Sequence, residues 1–158
     1  MPIKSFRGKI ADDGKDTIVL HTNNGSTGYK IIKLQLFPAA PGVNNVENIL
    51  QIFTVEQTGT ASATPDFEDN TLLAAGYYQD NASSAVPSSS TVVFDNTTFN
   101  QDIYITQRDI SNGTPGDGTP VNYYIELEQI KLDLNENTVA TLKDIRNIKS
   151  QWALQFTT

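Results

Sequence analysis

Hydrophobic and polar residues alternate with a period of two in several segments of the first 134 residues, and this pattern predicts β-strands. The longest run of strand-forming residues covers positions 122–134, NYYIELEQIKLDL. Its apolar residues occupy odd positions as far as Leu127 and even positions from Ile130 onward. Because successive side chains of a strand point to opposite faces, this change of phase predicts a β-bulge at Glu128 and Gln129, or a strand that crosses between two sheets.

Shorter segments with the same period precede this run. The strand predicted at residues 17–22 ends in the turn sequence NNGS, which favours a hairpin to the next strand at residues 29–37. In that second strand, Ile32, Leu34 and Leu36 are expected to share the buried face. The further predicted strands lie at residues 49–56, 72–78, 91–94 and 102–107. The first of these has apolar residues on both faces, which suits a sandwich interior, and the last has Ile103 and Ile105 on a single face.

The two ends of the chain have patterns of their own. Residues 3–10 form either an N-terminal arm or an edge strand, with Ile3 and Phe6 among their apolar residues. Beyond residue 136 the apolar residues recur every three positions, which predicts one short helix. The alternation of Trp152, Leu154 and Phe156 then predicts a last strand. We therefore assign a possible arm to residues 1–10 and a helix plus a strand to residues 137–158.

Strands at this spacing predict a mainly β fold, an antiparallel β-sandwich that is either jelly-roll-like or immunoglobulin-like, with one short C-terminal helix. A chain of 158 residues fits a single domain over residues 1–158. The absence of cysteine excludes disulfides, thiolate zinc sites and redox catalysis by cysteine. Packing or neighbouring molecules must hold the fold together.

The charge and hydropathy of the chain limit the classes of partner that it can bind. A formal net charge of −7 with 11 Lys and Arg argues against nucleic acid, since binding to phosphates needs clustered cations. No window of about 18 apolar residues is present, so a membrane partner is not expected. The N-terminus lacks the apolar region of a signal peptide, and we expect a chain that is soluble and not secreted.

Candidates for catalysis are few. His21 is the single histidine, which excludes metal sites built on two or three histidines, and no Gly-x-Ser-x-Gly elbow accompanies it. Glu126 and Glu128 share one face of a strand at a spacing that glycosidases can use, but alternating glutamates more commonly form a solvated face. We expect no enzymatic activity and no cofactor.

Two acidic groups are candidates for calcium, although neither has the spacing of an EF-hand loop and each is better explained as an acidic turn. A glycine-rich loop at residues 111–120 lacks the Gly-Lys-Ser/Thr sequence of a phosphate cradle and leads into a strand. The acidic groups are Asp12, Asp13 and Asp16, and Asp66, Glu68 and Asp69.

Taken together, the segments TIVLHTNNGSTGYKIIKLQLFP, FDNTTFNQDIYIT and NYYIELEQIKLDLNENTVATLKDIRN resemble small virion-associated proteins of marine tailed bacteriophages. The resemblance covers most of the chain and includes no catalytic motif. It implies a non-enzymatic structural protein of the virion, assembled in the host cytoplasm, with a capsid decoration or cement role favoured over a tail or neck position.

The partners implied by this resemblance are the major capsid protein or other virion proteins, together with further copies of the chain in a homo-oligomer. Exposed apolar segments near both termini are the expected docking surface. The alternative is a carbohydrate-binding module for host recognition, with Tyr77 or Tyr78 as a stacking platform beside loops 58–65, 80–90 and 111–120. The expected interface residues are Ile3, Phe6, Trp152, Leu154 and Phe156.

Overall fold

The computed structural model describes residues 2–20, 26–42, 45–81, 87–94 and 97–132. Within these residues the fold is all-β. The predicted helix and strand at residues 137–158 lie outside the described residues. The strands are β1 (Ile3–Ile10), β2 (Lys15–Ile18), β3 (Thr27–Pro38), β4 (Val46–Phe53), β5 (Leu72–Asp80), β6 (Ser88–Val93), β7 (Ile103–Asp109) and β8 (Val121–Lys131).

The strands form two antiparallel sheets that pack face to face, so the predicted β-sandwich is confirmed. One sheet has the order β1-β8-β3 and the other the order β2-β7-β4-β5-β6. The antiparallel pairs β1–β8, β2–β7 and β4–β5 each join one of the first four strands to one of the last four, with each pair nested inside the previous one in sequence. This order is that of a jelly roll and differs from the immunoglobulin order.

Strand β8 is the centre of the three-stranded sheet. It pairs over eight residues with β1 and over eleven with β3. Of the two roles open for residues 3–10, the structure shows the edge strand. Odd-numbered residues of β8 from Val121 to Leu127 are buried and the even-numbered ones between them are half-buried, because one face packs against the second sheet and the other is partly open to solvent.

The bulge predicted at Glu128 and Gln129 is not observed, and β8 stays in one sheet. Its pairing with β3 is regular through both residues, and its ladder with β1 reaches Glu128. The register shifts instead in β3, where Ile31 pairs with Leu127 and Lys33 pairs with Glu126. Ile32 is the extra residue, and it is 37% exposed, so its predicted place on the buried face is wrong. The extra residue of a bulge reverses the alternation of the side chains that follow it. For this reason the buried residues are odd-numbered before the bulge, Tyr29 and Ile31, and even-numbered after it, Leu34.

The predicted hairpin between the second and third strands is also not observed. Strand β2 pairs with β7 in the five-stranded sheet, whereas β3 pairs with β8 in the other sheet. The turn sequence therefore connects two sheets, and local turn chemistry alone does not distinguish this connection from a hairpin.

The core lies between the sheets. It is built from aliphatic residues of both sheets, with Tyr29 and Phe99 as its largest buried aromatic rings. Strand β4 is central and nearly all of its residues are buried, as its apolar residues on both faces predicted. The connection between β4 and β5 covers part of the outer face of the five-stranded sheet, where Gln51 Nε2 donates to Ser62 O.

Candidate functional site: an open seam and a charged outer face

The nested order leaves one pair of strands incomplete. After β1–β8, β2–β7 and β4–β5, the remaining pair is β3–β6, and these two strands are in contact without forming a ladder. Strand β6 pairs with β5. A single antiparallel bridge joins Tyr29 to Phe99, with N–O distances of 2.7 and 2.9 Å. We call the gap beyond this bridge, between residues 34–37 of β3 and residues 88–91 of β6, the seam.

The seam opens into a cleft of about 870 Å³. Residues of β1, β3, β6 and β8 line it, including Leu34, Leu36 and Tyr123 on the inward side of the three-stranded sheet. Its volume lies within the range of roughly 300–1,000 Å³ that is usual for binding sites. Within the described residues, the sides of β3 and β6 that face the seam lie at the edges of their sheets.

Two glycines shape the inner wall of this region. A Cβ at Gly76 would lie 3.0 Å from Leu36 Cδ1, so the absence of a side chain lets Leu36 approach β5. A Cβ at Gly8 would lie 2.6 Å from the Tyr123 hydroxyl, so the tyrosine crosses over β1 at this glycine. The hydroxyl then donates to Asp16 Oδ2 at 3.0 Å and links the two sheets. Burial and this hydrogen bond raise the pKa of Tyr123.

The outward side of the three-stranded sheet, which we call the outer face, carries rows of polar side chains. Glu128 pairs with Lys30 at 3.8 Å and Glu126 with Lys33 at 3.9 Å. The Tyr124 hydroxyl donates to Glu126 at 3.0 Å. The two glutamates are therefore paired with lysines of β3 on a partly solvated face. This is the arrangement expected for alternating glutamates on a solvated strand face.

The three-stranded sheet differs strongly in charge from the rest of the described chain. The three-stranded sheet carries six cations and two glutamates, a net charge of +4. All other described residues together carry two cations and twelve carboxylates, a net charge of −10. The six cations are Lys4, Arg7, Lys9, Lys30, Lys33 and Lys131. Of these, Lys4 lies on the inward side of β1 and donates to the Tyr29 hydroxyl, whereas Arg7, Lys9, Lys30 and Lys33 lie on the outer face.

Apolar side chains are exposed on the same sheet. Ile3 at the start of β1 is 56% exposed, and Phe37 near the end of β3 is 64% exposed. Both lie on the outer face, at its opposite ends, because Ile3 pairs with Glu128 and Phe37 with Asn122. Apolar side chains are also exposed elsewhere, at Val19, Phe67 and Val92, so it is the combination with cations that distinguishes this sheet.

Beside the five-stranded sheet, a compact polar group closes the turn between β1 and β2. Asp12 accepts hydrogen bonds from Arg108 Nη1 at 2.6 Å and from three backbone amides, those of Asp109, Gly116 and Gly118, at 2.8–2.9 Å. Burial alone would raise the pKa of Asp12, but these donors outweigh it and lower the pKa below 3.8.

Asp109 completes this group, which we call the Asp12 cluster. Its Oδ1 accepts from the Ser111 hydroxyl at 2.6 Å and from the Glu47 amide at 3.1 Å, and its Oδ2 accepts from the Thr119 amide at 2.8 Å. The cluster therefore fixes the loop before β8 by satisfying its backbone donors. This use of the two aspartates is structural.

The structure separates the predicted interface residues. Ile3 is exposed on the outer face, whereas Phe6 points inward, is half-buried and packs against the core. The alternation of strand β1 explains this difference, since the two residues are an odd number of positions apart. Trp152, Leu154 and Phe156 lie outside the described residues.

The tyrosines and loops of the carbohydrate hypothesis do not form one platform among the described residues. Tyr77 and Tyr78 point to opposite faces of β5, and burial together with a 2.6 Å hydrogen bond to Glu47 raises the pKa of Tyr77 to about 12. Loop 58–65 lies on the β2 side, where the Ala61 amide bonds Asp13, while loop 80–90 joins β5 to β6 at the other edge.

The other residues considered for metal binding or catalysis are the acidic group at Asp66 and Asp69 and the single histidine. Asp66 and Asp69 accept hydrogen bonds from the backbone amides of Glu68 and Thr71, as acidic turns do. No group of three or more potential metal ligands occurs in the part of the chain that the structure describes. His21 lies outside that part. Among the described residues, no helix is long and apolar enough to cross a membrane.

Three features of the site were not found by sequence reasoning: the Asp12 cluster, the seam and the exposed Phe37. Asp12 and its partner Arg108 are 96 positions apart, so no local pattern connects them. The seam depends on which strands pair. Only Phe37 had a local signal, an aromatic residue immediately before the break at Pro38.

Comparison of the chain with protein-family models, curated proteins and solved structures finds no match in any of the three. The resemblance to virion proteins of marine phages therefore stays a prediction.

Proposed function

We propose that this chain is a non-enzymatic structural protein of a virion, a capsid decoration protein that binds the capsid lattice through the outer face of its three-stranded sheet. The observation that carries the proposal is the combination, on one sheet, of net positive charge and exposed apolar side chains in a chain of net charge −7. The resemblance noted in the sequence supports the same role.

The charge distribution orients such a protein on a surface. A lattice with acidic groups attracts the sheet of net charge +4 and repels the remaining described part of net charge −10. Ile3 and Phe37 then become buried at the ends of the contact, and the cations between them set its register. The acidic side faces solvent and keeps decorated particles from associating.

The amount of the protein per purified virus particle tests this role. Quantitative mass spectrometry against the major capsid protein should give a ratio near one, or near one third for sparse lattice sites. A few copies per particle would replace the capsid position with the tail or neck. Complete absence from particles would overturn the virion role.

Charge reversal tests the docking face. Lys9→Glu on the outer face should weaken binding to particles that lack the protein, with a larger loss at low salt, because exposed charges act most strongly on association when they are not screened. Lys15→Glu on β2 makes the same charge change on the other sheet and is the matched control. Equal losses for both variants would contradict the assignment of the outer face.

A carbohydrate-binding role is a second candidate, favoured by one observation. Phe37 and Tyr124 lie diagonally on the outer face near Gln35 and Asn122, and aromatic rings with amide groups are suited to sugars. Glycan-array binding that is lost in Phe37→Ala and Tyr124→Ala, but kept in Tyr78→Phe, would support it. A silent array would remove this candidate.

A further inference from the structure

The seam contains two strand edges that no described residue pairs. Beyond the Tyr29–Phe99 bridge, residues 34–37 of β3 and residues 88–91 of β6 have ladder partners on one side only. Unpaired strand edges are templates for a further extended segment, because their N–H and C=O groups are already aligned. The ligand that such aligned N–H and C=O groups would bind at the seam is a polypeptide in the extended conformation.

The inner wall of the seam selects the side chains of that strand. Leu34 and Leu36 point inward, and Leu36 leans over Gly76 of β5. The four β6 residues at the seam are three serines and a threonine, which are exposed and uncharged. A matching segment therefore has apolar side chains at alternate positions and no charge that would be desolvated.

One segment of this chain has these properties. Residues 151–156, QWALQF, contain no charge and place Trp152, Leu154 and Phe156 at alternate positions. In an extended conformation these three side chains share one face, and Ala153 and Gln155 share the other. The apolar face would cover the inner wall of the seam.

The length of chain after β8 is sufficient for this contact. The described chain ends at Leu132, whose amide donates to Ser26 O at 2.6 Å beside the start of β3. Leu36 lies nine residues along β3 from Thr27, roughly 30 Å away. The nineteen residues 133–151 can span up to about 60 Å when extended. A tethered segment that reaches its site is present at an effective concentration of millimolar order.

We propose that residues 152–156 bind in the seam of their own chain as an added β-strand, with Trp152, Leu154 and Phe156 facing Leu34 and Leu36. The added strand pairs the edges of β3 and β6 and completes the side of the jelly roll that the β3–β6 pair leaves open. It also removes an aggregation-prone pair of edges from solvent. The proposal does not depend on the virion role, because it concerns the purified chain alone.

Disulfide trapping in the full-length chain tests the contact, since the natural sequence has no cysteine. Ala153→Cys is combined in turn with Ser89→Cys, Ser90→Cys and Thr91→Cys to sample the possible registers. At least one pair should oxidise to an intramolecular disulfide at least about tenfold faster than the control, because docking raises the local thiol concentration. Ala153→Cys with Ser62→Cys, an exposed position on the other sheet's outer loop, is the control.

The outcomes are distinguishable by non-reducing electrophoresis and peptide mapping. An intramolecular disulfide at the seam supports the proposal. Disulfide-linked dimers from the seam pairs would overturn it and assign the seam to a second copy. Oxidation no faster than in the Ser62 control would overturn the seam as the docking site.

The single tryptophan gives an independent measurement without cysteines. Trp152 fluorescence should be blue-shifted and protected from acrylamide in the natural chain, because its ring is buried in the seam. Thr91→Lys places a charge at the seam, on the face of β6 next to Gly76, and should shift the emission to the red and increase quenching, while Ser62→Lys leaves both unchanged. A Trp152 that is solvent-exposed in the natural chain would contradict the proposal.

Discussion

The Asp12 cluster and the seam show two ways in which one sandwich treats its polar backbone groups. In the cluster, two aspartates from distant parts of the chain accept hydrogen bonds from loop amides and from a buried guanidinium. At the seam, two strands lie in contact with no described ladder between them. The cluster is closed by residues of the described fold, whereas the seam requires an additional segment to close it.

This difference implies that the Asp12 cluster contributes mainly to the stability of the fold, whereas the seam is a surface for binding a further strand. Removing an acceptor from the cluster leaves buried donors and a buried cation unpaired, which is expensive because they lose hydration without compensation. The inner wall of the seam is apolar and its β6 side carries only small uncharged residues, so a change there leaves no buried charge unpaired. We therefore expect large effects on unfolding from the cluster and small effects from the seam, and the following variants test this expectation in order of decreasing size.

The largest effect is expected for Asp12→Ala. The side chain of Asp12 is fully buried, and its loss leaves Arg108 as an unpaired buried charge. The free energy of unfolding should fall by about 3–5 kcal/mol, measured by urea denaturation. Asp117→Ala removes an exposed carboxylate from the same loop and should change it by less than about 0.5 kcal/mol. Similar losses in both variants would refute the structural role of Asp12.

Alanine at two glycines compares the regions directly. A Cβ at Gly118 would lie 2.6 Å from Asp109 Cβ and 2.9 Å from Asp12 Oδ2, and neither group can move without breaking the cluster. Gly118→Ala should therefore cost about 2–3 kcal/mol of unfolding free energy, near the top of the range for overpacking. Gly76→Ala should cost less than about 1 kcal/mol, because the nearest atoms belong to the flexible end of the Leu36 side chain, which can shift slightly. Equal costs would mean that Leu36 has no room to shift.

The pH dependence of unfolding tests the cluster when Asp12→Asn is compared with the natural chain. The pKa of Asp12 is below 3.8 in the folded chain, so between that pKa and 3.8 the unfolded state binds more protons. Its stabilising contribution is complete above 3.8 and is lost as the pH falls through the folded pKa. Urea midpoints measured from pH 6 downward should therefore fall less steeply in Asp12→Asn than in the natural chain. Parallel curves would show that Asp12 does not titrate with folding.

The smallest effect is expected for Phe37→Ser beside the seam. Phe37 is 64% exposed, so its replacement should change the free energy of unfolding by less than about 0.5 kcal/mol. Differential scanning calorimetry can measure this against Phe53→Ser, a buried ring in β4 that should lower stability by several kcal/mol. A large loss from Phe37→Ser would indicate that part of the chain covers this ring.

Particular strands show how far local pattern predicts this fold. The segment around Ile103 and Ile105 was predicted as a strand with one buried face, and both residues are fully buried in β7. The apolar residues on both sides of residues 49–56 predicted a strand in the sandwich interior, and β4 lies there. These predictions succeeded because a strand buried on one face alternates apolar and polar residues, and a strand buried on both faces has apolar residues at successive positions. Both patterns are visible in the sequence.

Other features required the tertiary structure. The change of phase near Glu128 predicted a bulge on β8 that is not observed, whereas the bulge at Ile32 on β3 was not predicted, because a register shift depends on how two strands pair. The turn after β2 was predicted to close a hairpin, yet it connects two sheets. Of the predicted interface residues, Ile3 is exposed and Phe6 packs on the core, while the C-terminal three stay a prediction.

The sequence by itself determined the β-sandwich class, the strands with strong alternation and the acidic net charge. Tertiary structure decided the jelly-roll order, the separation of positive charge on the three-stranded sheet from negative charge on the rest of the described chain, the Asp12 cluster and the seam. Each of these depends on contacts between residues far apart in the chain, such as Asp12 and Arg108. Local periodicity records whether a residue is buried, but not which distant strand buries it.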